Sequence, residues 1–334
     1  MGDIQSLGTL LRQLCISSIL ALSLTLLSSV QPVFAASSTQ PLRCSLGVYL
    51  LSLQELNVAE GSFGADFWIW INCPQKSPDV LQKMDFVNSK QINPSLDSDQ
   101  EKGKIYWSNR KIQGVFKHDW NVVNFPFDRH RLKIEIEHGL LDVDQLVYQP
   151  NNQISTYQKN IGFDGWKITK FRLREYPKRY ETTYGDPTLD PAQGSQFSHV
   201  DVEIFIQRSS LIIFAKLTTV VYLALAISLA VYFVQEFEAR MGTLIGALFA
   251  IVINQQVVDS TLGKADGFKL IDAIHITAMF YLLVAVILAI LSYRDGEQGR
   301  EEIAIRRDFL SFKISAISFV IINLILIGSA AIAG

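Results

Sequence analysis

The sequence is poor in the residues that build metal centres and nucleophilic sites: its 334 residues include five histidines and three cysteines. His118, His130, His138, His199 and His275 fall in no metal-like spacing, and no Cys/His cluster is present, so neither a metal site nor a cofactor is expected. A Gly-rich phosphate loop, a Gly-x-Ser-x-Gly elbow and a His-Glu-x-x-His helix are also missing. No catalytic residue is therefore assigned, and an enzyme is not expected. There is no Lys/Arg-rich block, and a net charge of −2 argues against a nucleic-acid partner.

Apolar residues are plentiful, at 49% with a mean hydropathy of +0.21, but unevenly placed. Near the N-terminus Arg12 precedes an apolar run over residues 16–27, followed by small residues ending at Ala35. The run is short for a bilayer span, which needs roughly 20 apolar residues. The segment reads as a signal peptide, residues 1–35, cleaved after Ala35. Cys15 would leave with it, and Cys44 and Cys73 would remain in an oxidising compartment. These two flank an expected hairpin, with strands over 45–56 and 62–72 and a turn near 57–61. Folding it about the turn brings Cys44 opposite Cys73, which leaves a disulfide open.

Residues 36–208 carry a period of two. In Leu132-Lys133-Ile134-Glu135-Ile136-Glu137 every second residue is apolar, and Val200 to Ile206 repeats the pattern with Phe205 as the exception. Such alternation marks strands with one buried and one wet face. Many short strands separated by Gly, Pro, Asn and Asp predict an all-β antiparallel sandwich. From residue 209 the character changes to four apolar stretches, about 211–234, 241–262, 270–293 and 314–333. Each is long enough to cross a hydrocarbon core of ~30 Å as a helix, giving an all-α four-helix transmembrane domain. A cleaved signal places the sandwich and the C-terminus on the outer side of the cell membrane. Arg294, Arg300, Arg306 and Arg307, in the segment between the third and fourth spans, agree with a cytoplasmic loop there.

The second span is the informative one, because polar groups inside a membrane normally face water or a bundle interior. Gly242, Gly246, Phe249, Ile253, Gln256 and Ser260 lie along one side at steps of three or four. The neighbouring stripe is Thr243, Ala247, Ala250, Asn254, Val257 and Thr261. Either stripe can line a water-filled path, with Phe249 and Ile253 as a hydrophobic constriction in the first. The competing reading is packing: Asn254 and Gln256 bond between helices, while Gly242 and Gly246 permit close approach. Four helices leave little room for a pore, so conduction requires a ring of subunits.

The segment Trp120-Asn121-Val122-Val123-Asn124-Phe125-Pro126-Phe127-Asp128 resembles the hallmark loop of the pentameric ligand-gated ion channels, whose animal members are the Cys-loop receptors. Two cysteines close that loop in animal members; His118 and Leu132 stand at those positions here, as in the bacterial branch that lacks the bond. The order of features is similar too, with an Arg (Arg208) ending the last strand ahead of four spans. The resemblance implies a homopentamer of four further identical subunits, permeant ions, surrounding membrane lipid, and gating by a small-molecule ligand or protons. It also implies a coupling interface of the turn at Glu60, the loop Phe125, Pro126, Phe127 and Asp128, Arg208, and the linker carrying Lys264. Asp128 is the implied partner of Arg208, with Glu60 as a third member. A ligand cage is implied near Tyr184 and Phe197, with Tyr157 or Phe163 as a second wall.

The chain departs from the family by lacking a proline in the first span and in the linker after the second, and by placing Phe249 where Leu is common. Glu236 and Glu238 beside the inner mouth favour cations, with Arg240 adjoining them. A non-conducting sensor or adhesion module on the same anchor is the alternative function.

Overall fold

The computed structural model describes residues 40–334, apart from 77–78, 160, 162–164, 188, 209–210 and 263–266. The expected signal segment and Cys15 lie outside these residues, as do Phe163 and Lys264. A β-sandwich-like region of ten strands comes first and four long apolar helices follow.

Strands β1 (Leu42–Asn57) and β2 (Ser62–Cys73) form the expected hairpin. Its turn is tight because Gly61 takes a φ of +60°, which glycine adopts without steric cost, and Asn57 accepts the Glu60 N–H at 3.0 Å. Cys44 and Cys73 are joined across the open end of the hairpin by a buried disulfide. The remaining strands are β3 (Met84–Phe86), β4 (Ser89–Lys102), β5 (Ile105–Lys117), β6 (Arg129–His138), β7 (Leu146–Pro150), β8 (Thr156–Tyr157), β9 (Trp166–Tyr180) and β10 (Ser195–Arg208). One sheet runs β4-β5-β2-β1-β7, with β8 also on β1, and the other runs β3-β6-β10-β9.

The core lies between the sheets. Leu46, Val48, Phe67, Ile69 and Phe116 from the first meet Leu132, Ile134, Val200, Val202 and Ile204 from the second, all fully buried. The outward residues of β10 are not wet, contrary to the simple alternation: His199, Asp201 and Glu203 are also buried. β10 is an inner strand, and the long stems of Lys133, Arg172 and Lys178 lie over it from its neighbours.

The four helices are α1 (Ile212–Ala230, continued by a 3₁₀ turn Val231–Phe233), α2 (Phe237–Leu262), α3 (Leu270–Glu297) and α4 (Glu301–Ala333). Their length and apolarity make the chain a multi-pass membrane protein. The fourth helix begins at Glu301 rather than near 314, and the charged segment 294–308 is mostly helical. The charges do not end the helices because they satisfy one another. Asp308 is buried between Arg240, at 2.7 Å, and Ser292; Asp295 takes Arg300, at 2.6 Å, and Arg307. Only residues 298–300 separate α3 from α4.

The apolar core of the sandwich continues into the helices without a break: Phe125 and Trp120 share one cluster with Leu217, Val258, Leu262 and Ile271. Removing the disulfide, which closes a separation of 29 residues, by Cys44→Ala with Cys73→Ala is expected to cost about 2–4 kcal/mol. Thermal unfolding of the two chains measures it, and equal midpoints would contradict it.

Candidate functional site

The last residue of β10 sets the geometry of the junction. Arg208 is positioned by the β10 ladder and by its own N–H, which reaches the Asp128 carbonyl at 3.4 Å. Its guanidinium is clamped between two rings, 4.1 Å from the centroid of Trp166 and 4.7 Å from that of Phe125. Its edge meets Asp128 as a fork, with Nε 2.8 Å from Oδ1 and Nη2 3.0 Å from Oδ2. Both side chains are nearly inaccessible, at 5% and 1% exposure.

The Arg208–Asp128 pair has a third member, and it is not Glu60. His130 Nε2 lies 3.0 Å from Asp128 Oδ2. Glu60 is exposed at the turn, and its backbone carbonyl takes Lys90 Nζ at 2.7 Å. The correction follows from strand period: His130 lies two residues beyond Asp128 and points to the same face, whereas Glu60 sits on the wet side of the β1–β2 turn. Beyond His130, Nδ1 faces His118 Nε2 at 3.5 Å. The two flanks of the loop thus meet here through His118 and His130.

Burial acts to raise the Asp128 carboxyl, but the bonds from His130 and Arg208 outweigh it and hold the group below its ordinary value. Burial first, and the neighbouring His130 second, lower His118 from 6.5 to about 4.

The loop also grips the helices. The Leu270 N–H at the start of α3 donates to the Val123 carbonyl at 2.9 Å, the Phe125 ring lies 6.4 Å from Phe214 of α1, and Gly334 packs against the Phe127 backbone. Val58 of the β1–β2 turn shares a cleft with Thr261 and Leu262 at the end of α2. Pro126 is buried, and the Phe125–Pro126 bond is cis. The described part of the α2–α3 linker ends at Lys269, whose Nζ reaches Asp259 at 3.1 Å.

Helix α2 has two opposed faces. Gly242, Gly246, Phe249, Ile253, Gln256 and Ser260 are all exposed on the chain, Phe249 at 62% and Ile253 at 59%. Leu244, Ala247, Ile251, Asn254 and Val258 are buried against the other helices. Asn254 therefore belongs to packing and not to the alternative path. Its amide donates to the Leu217 carbonyl at 2.7 Å and to His275 Nε2 at 3.0 Å, while His275 Nδ1 bonds the Ile271 carbonyl at 2.7 Å. This network links α1, α2 and α3 and consumes the polar groups it buries. Thr243 is half-buried with its hydroxyl on the Ala239 carbonyl, and Val257 is exposed at the edge of the first stripe.

The expected cage residues separate into two places. Tyr184 and Phe197 meet at 6.3 Å and are joined by Tyr180, at 5.8 and 6.0 Å, into an aromatic triangle below the β9–β10 hairpin. Tyr184 is 66% exposed and holds a positive φ of 52°, uncommon outside glycine. Tyr157 is elsewhere, packed on the core beside Phe171 at 6.0 Å. Phe171 is about 30 Å along β9 from Tyr180 at ~3.3 Å per residue, so within one chain Tyr157 does not join the cage. The period of two hides Tyr180, because Lys178 and Tyr180 fall on one face as ordinary surface residues. No protein-family profile and no curated protein matches this chain.

Breaking one side of the buried pair, by Arg208→Met or Asp128→Asn, is expected to cost about 3–5 kcal/mol, and the double change less than the sum. A thermal double-mutant cycle measures this, and strict additivity would rule out the pairing. Asp128 stabilises the fold above its ordinary value of 3.8, and that stability is lost as pH falls through the depressed folded value. His118 is also lowered, so its contribution is complete above pH 6.5 and is lost between 6.5 and about 4. His118→Phe should flatten that segment of a midpoint-versus-pH curve; an unchanged slope would refute the assignment.

Proposed function

We propose that the chain is the subunit of a homopentameric ligand-gated ion channel in a bacterial cell membrane, with the sandwich on the outer side and α2 lining the pore. The observation that carries the reading is the division of α2. One face, with Leu244, Ala247, Ile251, Asn254 and Val258, is used for packing within the chain, and the Gly242-to-Ser260 stripe, with Gln256 and Ser260 on it, is left outward beside exposed Ile245, Leu248 and Val252. A polar side chain turned outward on a membrane helix calls for water or a further subunit, and a ring supplies both. The resemblance of the Phe125–Asp128 loop to the pentameric channel family, and the contacts of that loop with Arg208, Leu270 and Phe214, support the same reading.

In this mechanism the closed pore is narrowed by rings of Phe249 and Ile253, which exclude water by dewetting. A ligand at the hairpin between β9 and β10 binds one state better and shifts the closed–open equilibrium by that difference. The Tyr180–Tyr184–Phe197 triangle favours a cationic amine through the ring faces. Movement of the sandwich reaches α2 and α3 through Arg208, Asp128 and the loop carbonyl at Val123. The pore prefers cations: Glu236 and Glu238 are exposed at the far end of α2, while Arg240 is buried and paired with Asp308.

Purified protein should have the mass of five chains and carry current in planar bilayers when amines or acid are applied. The reversal potential should follow the cation gradient, and Phe249→Ala should raise the resting current. A monomer by mass would sink the proposal. A silent pentamer across a broad ligand and pH panel would favour the non-conducting sensor.

A further inference from the structure

The outer face of the second sheet carries a cluster that the junction does not use. Asp201 on β10 is the direct register partner of Glu135 on β6, and His199 lies two residues before Asp201 on the same face. His199 is fully buried although it faces away from the core, with the Tyr176 ring 4.9 Å from its own. Its two ring nitrogens see only carboxylates. Nδ1 bonds Glu137 Oε1; Nε2 lies 3.0 Å from Asp201 Oδ1 and 3.7 Å from Glu135 Oε2.

That arrangement poses an electrostatic problem. The bond to Glu137, an acceptor, needs the proton on Nδ1, which turns the Nε2 lone pair towards two anionic oxygens. Lone pair against carboxylate is repulsive unless an electrophile sits between them, either a proton or a metal ion. The spacing suits a metal ion. Donors about 2.0–2.2 Å from a common centre are separated from one another by roughly 3–3.6 Å in tetrahedral or octahedral geometry, close to the two distances above. Among the described residues this is the one place where three such donors converge, within 4.8 Å of one another.

The surroundings fit as well. Glu137 holding the far nitrogen is the carboxylate–histidine–metal arrangement that fixes ring tautomer and orientation. Lys133 Nζ binds Asp201 through Oδ2, at 2.8 Å, and leaves Oδ1 for an ion. Lys178 Nζ sits 3.3 Å from Glu135 Oε2 and 3.9 Å from Glu137 Oε1; its partly exposed chain can keep Glu137 and release Glu135. The three carboxylates outnumber these two ammonium groups, which leaves an excess negative charge for a cation. The Glu135 side chain is 24% exposed, which provides an entry path and room for a water ligand.

We propose that Glu135, His199 and Asp201 form a binding site for a divalent transition-metal ion of the zinc class, with Glu137 orienting the imidazole. Where Nε2 is protonated, the ion replaces that proton, which leaves to solvent. Glu137 Oε1 also accepts the Tyr180 hydroxyl at 2.6 Å, so the site adjoins the aromatic triangle. Binding does not depend on whether the chain conducts.

The test is zinc titration of the metal-stripped full chain in detergent or nanodiscs, followed by calorimetry and thermal midpoint. One ion per chain, a raised midpoint and release of protons to the buffer are expected, and cobalt substituted for zinc should show visible absorption bands. Glu135→Gln should weaken binding on the order of tenfold or more, and Asp201→Asn or His199→Gln should abolish it. His199 is buried and its variant is at risk of misfolding, so the partly exposed Glu135 position carries the decision. A wild-type chain that binds no zinc overturns the proposal, as does zinc binding that Glu135→Gln and Asp201→Asn leave unchanged. A doubly protonated His199, seen by nuclear magnetic resonance and undisturbed by saturating zinc, also overturns it.

Discussion

A guanidinium at the lip of a bilayer must be solvated by the protein itself, and the junction of this chain is arranged around that constraint. Arg208 ends β10 just ahead of α1, and its planar guanidinium presents two faces and a hydrogen-bonding edge. Its two flat faces are occupied by Trp166 and Phe125 and its edge by Asp128. Each partner is held in turn: Asp128 by His130, Trp166 by tilted and edge-on contacts with Trp120 and His130, Phe125 by Phe214 of α1. Because a buried ion pair barely offsets its desolvation, the pair is a weak source of stability but a strong source of position. Loop, last strand and first helix therefore move together or lose the whole set of contacts.

Two histidines in the sandwich, His118 half-buried and His199 buried, show how neighbours decide charge. His118 has rings and another histidine beside it, and burial drives it towards the neutral form. His199 is buried too, which would lower it, yet the hydrogen bonds to Asp201 and Glu137 prevail and its pKa is raised. Asp201 moves the opposite way for the same reason, with bonds from His199 and Lys133 overcoming its burial. Neither fate is visible in the sequence, because it depends also on residues far along the chain, His130 beside His118 and Glu137 beside His199.

Much of the layout was legible without coordinates. The hairpin over 42–73, the cysteines facing across it and the four apolar helices follow from period, turn residues and length. β4 was not legible: as an edge strand with almost every residue exposed, it carries no apolar alternation to read. The start of α4 was hidden because buried Asp308 and half-buried Arg307 look like solvated loop charges until Arg240 and Asp295 are placed beside them. His130 was passed over for Glu60 because sequence order does not say which side of a turn a carboxylate takes. Glu135, His199 and Asp201 come from two strands far apart in the chain, and a local spacing rule has no access to that pairing.

The rotation of α2 is where sequence left two stripes equal and packing separates them. Asn254 and Gln256 are both amides near the middle of an apolar helix, only two positions apart, yet one is buried in a three-helix knot and the other faces out. The outward face of α4 offers a comparison: Ile314, Ile317, Ile321, Leu324 and Ile325 are exposed there, an unbroken aliphatic surface suited to lipid tails. The outward face of α2 instead mixes Gly242, Gly246, Gln256 and Ser260 with Phe249 and Ile253. Glycines leave dispersion contacts unmade against lipid, and an amide in hydrocarbon lacks partners. The two helices therefore present different outward surfaces, aliphatic on α4 and mixed with small and amide residues on α2. The proposed ring, with α4 turned outward and α2 inward, would give each surface a matching neighbour.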